Sequence, residues 1–269
     1  EIYQPSDRVL TCRKDEGRLD IEYDYNAAAG EVDRDVLERR YGGLWRYREL
    51  LPVESEKNII SLGEGQTPLV RCKNLGNIVG LSDLYVKDET RSPTSSFKDR
   101  PMTVGVSKAV ELGFDTTVSA SSGNAAAALA AYSARAGLAC YTFVPEMASP
   151  GKIAQLNMFG AHVVRVRGLE SGVDPTVIMM KLVRERFGWY SCPSFGPFNP
   201  YQAEGPKTMS YEIVEQLGWS SPDWVFGGVG SGSLLAGNWK GYQEFKRLGL
   251  VEDSPRMVAV QSTGCAPLV

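Results

Sequence analysis

The chain has 269 residues, 23% of them charged and 43% hydrophobic, with a net charge of -3. That composition is ordinary for a globular protein with room for more than one buried core, and it gives no electrostatic reason to expect a nucleic acid or an anionic membrane surface. The small-residue run from Ala125 to Ala131 is too short to span a bilayer, and the first residues, Glu1-Ile2-Tyr3-Gln4-Pro5, lack the basic-then-apolar pattern of a signal peptide.

Five scattered cysteines, Cys12, Cys72, Cys140, Cys192 and Cys265, have none of the paired spacings of a zinc site, and their odd number argues against a disulfide framework. A reducing, cytoplasmic setting is expected, with no bound metal. The single histidine, His162, disfavours chemistry that needs several imidazoles and is expected to be structural.

In chain order, Arg18 to Tyr25 alternates and reads as a strand. Residues 36–50 read as a helix interrupted at Gly42-Gly43, with Trp45 and Tyr47 as aromatic anchors. From about residue 84 onward, β-branched runs alternate with helix-length segments. Strands are expected at 84–87, 117–120, 140–144, 162–166, 224–226 and 257–260, with a helix from Ala125 to Ala136 closed by Gly137. This alternation predicts an α/β fold with parallel strands and crossover helices. The ending Gly264-Cys265-Ala266-Pro267-Leu268-Val269 reads as the middle of an element, so further residues are expected beyond it.

Three segments carry chemistry. Ser92-Pro93-Thr94-Ser95-Ser96-Phe97-Lys98-Asp99-Arg100 lies between a strand and a helix expected to begin near Pro101. A lysine in a partly apolar site has a lowered pKa and can attack an aldehyde. Ser121-Ser122-Gly123-Asn124 follows a strand and opens a helix, where hydroxyls and free N–H groups suit a carboxylate; a plain capped helix is the alternative. Trp224-Val225-Phe226 runs into Gly227-Gly228-Val229-Gly230-Ser231-Gly232-Ser233-Leu234 and then a helix. Such a loop lets backbone N–H groups approach a phosphate, although it is neither a P-loop nor a complete dinucleotide fingerprint.

Taken in this order, the three segments resemble fold-type II pyridoxal-phosphate (PLP) enzymes, and threonine synthases most closely. Phe97-Lys98-Asp99-Arg100, Ser122-Gly123-Asn124 and the loop from Gly230 to Leu234 carry the resemblance. Leu62 to Leu69, Glu204 to Thr208, Asn238 to Tyr242 and Gly264 to Leu268 extend it from about residue 60 to the end. The resemblance implies a two-subdomain, tryptophan-synthase-β-like fold with open, mostly parallel sheets. Residues 1–80 would form an N-terminal arm, 81–103 with 191–269 the larger cofactor-binding subdomain, and 104–190 a smaller mobile subdomain.

It further implies that Lys98 holds PLP as a Schiff base and moves protons at the substrate carbons. Phe97 and Asn124 would bind the cofactor, Asn124 at the ring's phenolate oxygen, and Gly230, Ser231, Gly232, Ser233 and Leu234 would hold the phosphate. Ser121, Ser122 and Gly123 would meet the substrate carboxylate. All three segments are expected to converge on one ring, in a homodimer. The family's pattern departs here at Arg100-Pro101-Met102 instead of Arg-Gly-Met. Gly196-Pro197 stands for an Asn-Ser pair, and neutral Gln202 for an arginine that contacts substrate phosphate.

The implied reaction converts O-phospho-L-homoserine and water to L-threonine and phosphate. A β-eliminating or β-replacing relative, such as a threonine/serine dehydratase or a cysteate-synthase-like enzyme, is the alternative. A non-catalytic ligand binder on the same fold, and a nucleotide-binding α/β protein using the Gly228 loop, are the readings from other classes.

Overall fold

The computed structural model describes residues 1–168, 174–195 and 197–268. In chain order its regular elements are α1 (Tyr25–Ala29), α2 (Arg34–Arg39), β1 (Leu69–Arg71), α3 (Lys73–Val79), β2 (Tyr85–Lys87), α4 (Asp99–Glu111), β3 (Thr116–Ala120), α5 (Asn124–Ala136), β4 (Ala139–Pro145), α6 (Pro150–Met158), β5 (His162–Val166), α7 (Pro175–Phe187), β6 (Tyr190–Ser191), α8 (Thr208–Gln216), β7 (Trp224–Gly228), α9 (Ser233–Arg247) and β8 (Arg256–Val260). The α/β class expected from the sequence is the class found. The chain divides into two compact units. One comprises Glu1–Tyr23, Leu50–Leu62 and Lys98–Gly205; the other comprises Asp24–Glu49, Gly63–Phe97 and Pro206–Val269. Residues 1–80 thus contribute to both.

The first unit is built on a parallel four-stranded sheet of order β5-β4-β3-β6. Successive side chains of a strand face opposite sides, and both sides are covered. On one, Cys140 and Val144 pack with Met102, Val106 and the alanine-rich α5. On the other, Val118, Ala120 and Phe143 pack with Met180 and Val183 of α7. Alanine gives α5 high helix propensity. Gly137, at φ 72°, ends it and returns its N–H to Ser133 and Ala134. Polar groups share the α5 side: Thr117 Oγ1 and Ser133 Oγ are 2.8 Å apart in the interior.

One face of α4 carries Thr103, Ser107 and Glu111, four residues apart and therefore in line. They fasten the strap 54–60. Thr103 donates to the Ile60 carbonyl (2.6 Å), Ser107 Oγ accepts from Ile60 N–H (2.8 Å), and Glu111 accepts from the N–H groups of Glu54 and Ser55 (2.9 and 3.0 Å). Burial alone would raise the Glu111 pKa, but the hydrogen bonds from Lys108 and Ser55 prevail and lower it.

The second unit contains the antiparallel pair β1-β2 and the parallel pair β7-β8. Its interior is charged and aromatic. Lys207 and Glu244 meet at 2.9 Å almost fully buried, and Glu244 also accepts from the hydroxyls of Tyr25 (2.9 Å) and Tyr211. Lys87 and Glu212 meet at 2.7 Å. Tyr211 and Phe245 stack beside them, and the Tyr47 ring meets Tyr211 at a tilt. Helices α8 and α9 approach so closely that a Cβ at Gly241 would lie 2.1 Å from Ser210 Oγ and 2.5 Å from the Lys207 carbonyl.

Three expectations need correction. The Arg18–Tyr25 segment is not a strand; Asp24 instead caps α1, accepting from the N–H groups of Asn26 and Ala27. Ile21 packs against the first unit's core, so the alternation reflects one-sided burial of an irregular segment. The strand near residue 84 is not part of the parallel alternation but pairs antiparallel with β1, which went unrecognised beside Thr67-Pro68. The interrupted helix from Val36 to Leu50 is a short α2 followed by a 3-10 segment, Leu44–Leu50. No helix among the described residues is long and apolar enough to cross a membrane.

Candidate active site

The sheet of the first unit reverses its direction of growth between β3 and β6. From β3 the chain steps outward to β4 and β5, then returns to lay β6 on the other side of β3. In open parallel sheets, the crevice beyond the carboxyl ends at such a reversal is where ligands bind. Two segments leave those ends here: Ser121-Ser122-Gly123-Asn124 from β3, and Cys192-Pro193-Ser194 from β6.

Lys98 is at the N-cap of α4, so the helix begins two residues earlier than expected and Pro101 is its third residue. The Lys98 ammonium donates to Ser194 Oγ at 2.9 Å. Burial pushes the Lys98 pKa down to about 8, which leaves a sizeable neutral fraction near physiological pH. Ser194 is buried and has a left-handed backbone, φ 59°; Ser95, in the approach to Lys98, has φ 61°. For residues other than glycine this conformation costs on the order of 1–3 kcal/mol, and such strain collects at functional sites.

The segment that carries Ser194 is closed at its neck. Asn199 donates to the Ser191 carbonyl (2.9 Å), and its Oδ1 accepts from the N–H groups of Tyr201 and Gln202 (3.0 and 3.2 Å). Ser191 Oγ donates to the Phe198 carbonyl (3.1 Å). The same segment is keyed into α4: a Cβ at Gly105 would come within 2.6 Å of Cys192 Sγ. Gly205 meets the helix start as closely: a Cβ there would lie 2.0 Å from the Arg100 carbonyl oxygen.

Gln202 lies inside this joint. It is 3% exposed, and its Oε1 accepts from the Cys192 thiol at 2.8 Å. Burial raises the Cys192 pKa strongly, so the thiol stays protonated and can donate. The sequence reading put Gln202 in a substrate-facing loop; its amide oxygen is instead held by an interior thiol. Of the Gly196-Pro197 departure, Gly196 lies outside the described residues.

At the end of β3, Ser121 Oγ accepts from Gly123 N–H (3.2 Å), and Asn124 is the exposed first residue of α5. Ser121, Ser122 and Gly123 are half-buried. The free N–H groups at the start of this 13-residue helix are therefore presented beside polar side chains.

Phe97 and Gly230–Leu234 belong to the second unit. There β7, α9 and β8 form a parallel crossover, and the glycine loop leaves the carboxyl end of β7. Gly232 opens α9 with φ 82°, a conformation that favours glycine. A Cβ at Gly228, Gly230 or Gly232 would meet nothing within 4 Å, so the loop backbone is open to a ligand. Ser231 and Ser233 hydroxyls are 3.1 Å apart at the helix start. These features fit a phosphate, and the half-buried, partly neutral Lys98 fits an aldehyde.

The same unit has a cavity of about 680 Å³ at the other end of β7, lined in part by Arg34, Trp219, Trp224 and Arg256; apart from Trp224, none of the residues singled out from the sequence lines it. No metal-binding cluster occurs among the described residues. The sequence reading missed Ser194. The signal was present as a short strand running into Cys192-Pro193-Ser194, but two strand residues are too few to recognise by pattern.

Residues 60–269 match the family model described as "Pyridoxal-phosphate dependent enzyme". The chain is 42% identical to threonine synthase of Methanocaldococcus jannaschii, over all of this chain and 65% of that protein. It is 39% identical to threonine synthase of Methanosarcina acetivorans, over 99% of this chain and 64% of that one. It thus spans somewhat under two thirds of these relatives' length. Among solved structures it resembles the processed form of threonine deaminase isoform 2 from Solanum lycopersicum. There the TM-score is 0.62 at 22% identity, over 87% of this chain and 62% of the other, a likeness of fold.

Proposed function

Because the chain belongs to the family of pyridoxal-phosphate dependent enzymes, we propose that it is a lyase of threonine-synthase type, converting O-phospho-L-homoserine and water to L-threonine and phosphate. The observation that carries this reading is Lys98: a half-buried amine with its pKa lowered to about 8, at the reversal point of a parallel sheet and hydrogen-bonded to a strained serine. The identity to archaeal threonine synthases along the whole chain supports the choice of reaction.

Bound at Lys98, pyridoxal phosphate supplies the electron sink that makes protons at the substrate's carbons removable. The protein's own residues do the rest. Lys98 would hold the cofactor at its aldehyde carbon, the aldehyde oxygen leaving as water, and when released as an amine would take and return protons at the substrate carbons. Gly230, Ser231, Gly232, Ser233 and Leu234 would hold the phosphate through backbone N–H groups at the start of α9. Asn124 would donate to the ring's phenolate oxygen, and Phe97 would contribute to binding the cofactor. Ser121, Ser122 and Gly123 bind the substrate carboxylate at the start of α5. We further propose a homodimer in a reducing cytoplasm, in keeping with five free cysteines.

A related β-eliminating or β-replacing activity is the second reading, favoured by Gln202, a neutral and interior residue where the family pattern has an arginine. Phosphate release from O-phosphohomoserine measured against O-phosphoserine, with ketoacid formation from threonine, separates the two. Preference for O-phosphohomoserine supports the first reading; preference for either other substrate replaces it. Lys98→Ala is expected to abolish turnover and the visible absorbance of lysine-bound cofactor; retention of both would refute the role of Lys98.

A further inference from the structure

We propose that Ser194 is a further catalytic residue of this site, one that receives the amine of Lys98 whenever that amine is free and fixes the direction in which it reacts. The inference rests on the reading of Lys98 as the cofactor lysine.

A lysine side chain has several rotatable bonds and, when partly buried, settles where its N–H groups find an acceptor. Here that acceptor is Ser194 Oγ, 2.9 Å from the nitrogen. By accepting one N–H, the hydroxyl does not occupy the lone pair with which a neutral amine attacks a carbonyl carbon or removes a proton. A serine in this role therefore orients the amine without quenching it, whereas a carboxylate would hold it charged.

Three independent features indicate that the serine is held for a purpose. Its backbone is left-handed, a conformation that glycine or asparagine would adopt more easily. The neck of its segment is closed twice, through Asn199 to Ser191 and through Ser191 to Phe198. The strand it follows, β6, is the neighbour of β3 on the far side from β4, so Ser194 and the Ser121–Asn124 turn leave adjacent strand ends. The close approach of Cys192 to Gly105 then ties this segment to α4, the helix that Lys98 starts.

The test uses the full-length protein and two variants, Ser194→Ala and Ser194→Gly. Alanine removes the hydroxyl and leaves the backbone preference nearly as it was; glycine removes it and relieves the left-handed backbone. Each variant is stripped of cofactor and mixed with pyridoxal phosphate, and the return of the visible band of lysine-bound cofactor is timed from pH 6 to 10.

Both variants are expected to take up cofactor about tenfold more slowly or worse, with the midpoint of the pH profile moved downward because the ammonium has lost an acceptor. In the loaded enzyme kcat falls with little change in KM, and the melting temperature of the glycine variant is not lowered. Uptake profiles and kcat matching the parent protein in the glycine variant would overturn the proposal, even if the alanine variant misfolds. A Lys98→Ala protein that still gains the band would instead overturn the assignment of the lysine.

Discussion

The two units solve the problem of a stable interior differently. In the first, a four-stranded parallel sheet is covered on both faces by apolar side chains and small residues, and α5 contributes nine successive buried residues, Ala125–Ser133, six of them alanine. In the second, which has only two-stranded ladders, the buried network of Lys207, Glu244, Tyr25 and Tyr211 sits at α8 and α9, with Lys87–Glu212 as a further ion pair. The difference teaches where tolerance lies. An apolar interior loses stability in proportion to the volume removed, whereas a buried ion pair fails sharply when one partner is lost.

The largest effect is expected from Lys207→Met, which leaves Glu244 buried without its cation. A loss of about 3–5 kcal/mol should appear in urea unfolding, with hydrogen exchange rising first in α8 and α9. The double change Lys207→Met/Glu244→Leu should recover much of it; no recovery would mean that the pair itself, rather than the orphaned charge, supplies the stability. Next comes Leu129→Ala in α5, expected to cost about 3 kcal/mol, with exchange rising in α4 and α5 instead. If it loosened α8 and α9 equally, the two interiors would not be independent.

Thr142→Val probes the first unit from the other side. The Thr142 hydroxyl is buried with no hydrogen-bond partner among the described residues, so its removal should raise stability by about 1 kcal/mol; a loss would show that the α5 face of the sheet uses that hydroxyl.

The smallest effect is a pH dependence from Glu111. Its pKa is lower in the folded protein than in the unfolded chain, so its stabilising contribution is complete above the unfolded value and is lost as the pH falls through the folded one. Glu111→Gln should remove that contribution, lowering the stability of the first unit at neutral pH, leaving the acid end nearly unchanged and so flattening the acid limb, as followed by urea unfolding between pH 3 and 7.

The same contrast explains what was legible in the sequence. Strands β3, β4, β5, β7 and β8 were readable because parallel strands are β-branched runs punctuated by helices. Lys98, the Ser121–Asn124 turn and the glycine loop were readable because their residue types stand at strand-to-helix junctions. Lys207, Gly205 and Gly241 entered the sequence reading only as part of a family resemblance. Their close contacts explain them as packing residues: a buried ammonium and two points of close backbone approach. Ser194 and the interior position of Gln202 were not legible. Both depend on β6, two residues long, whose partner β3 is far away in sequence, and on a left-handed serine backbone that no local pattern of residues announces.

That long-range pairing has a consequence for how the protein is made. A ribosome releases β3, β4 and β5 as a growing sheet in the order in which they lie side by side, but the strand that completes the other edge of β3 emerges last of the four. Lys98 and Ser194 are separated by 96 positions. A nascent chain arrested before residue 194 leaves the tunnel is therefore expected to hold a folded half-sheet whose lysine is not yet seated. Any chaperone that guards this polypeptide has an exposed strand edge to recognise until that moment.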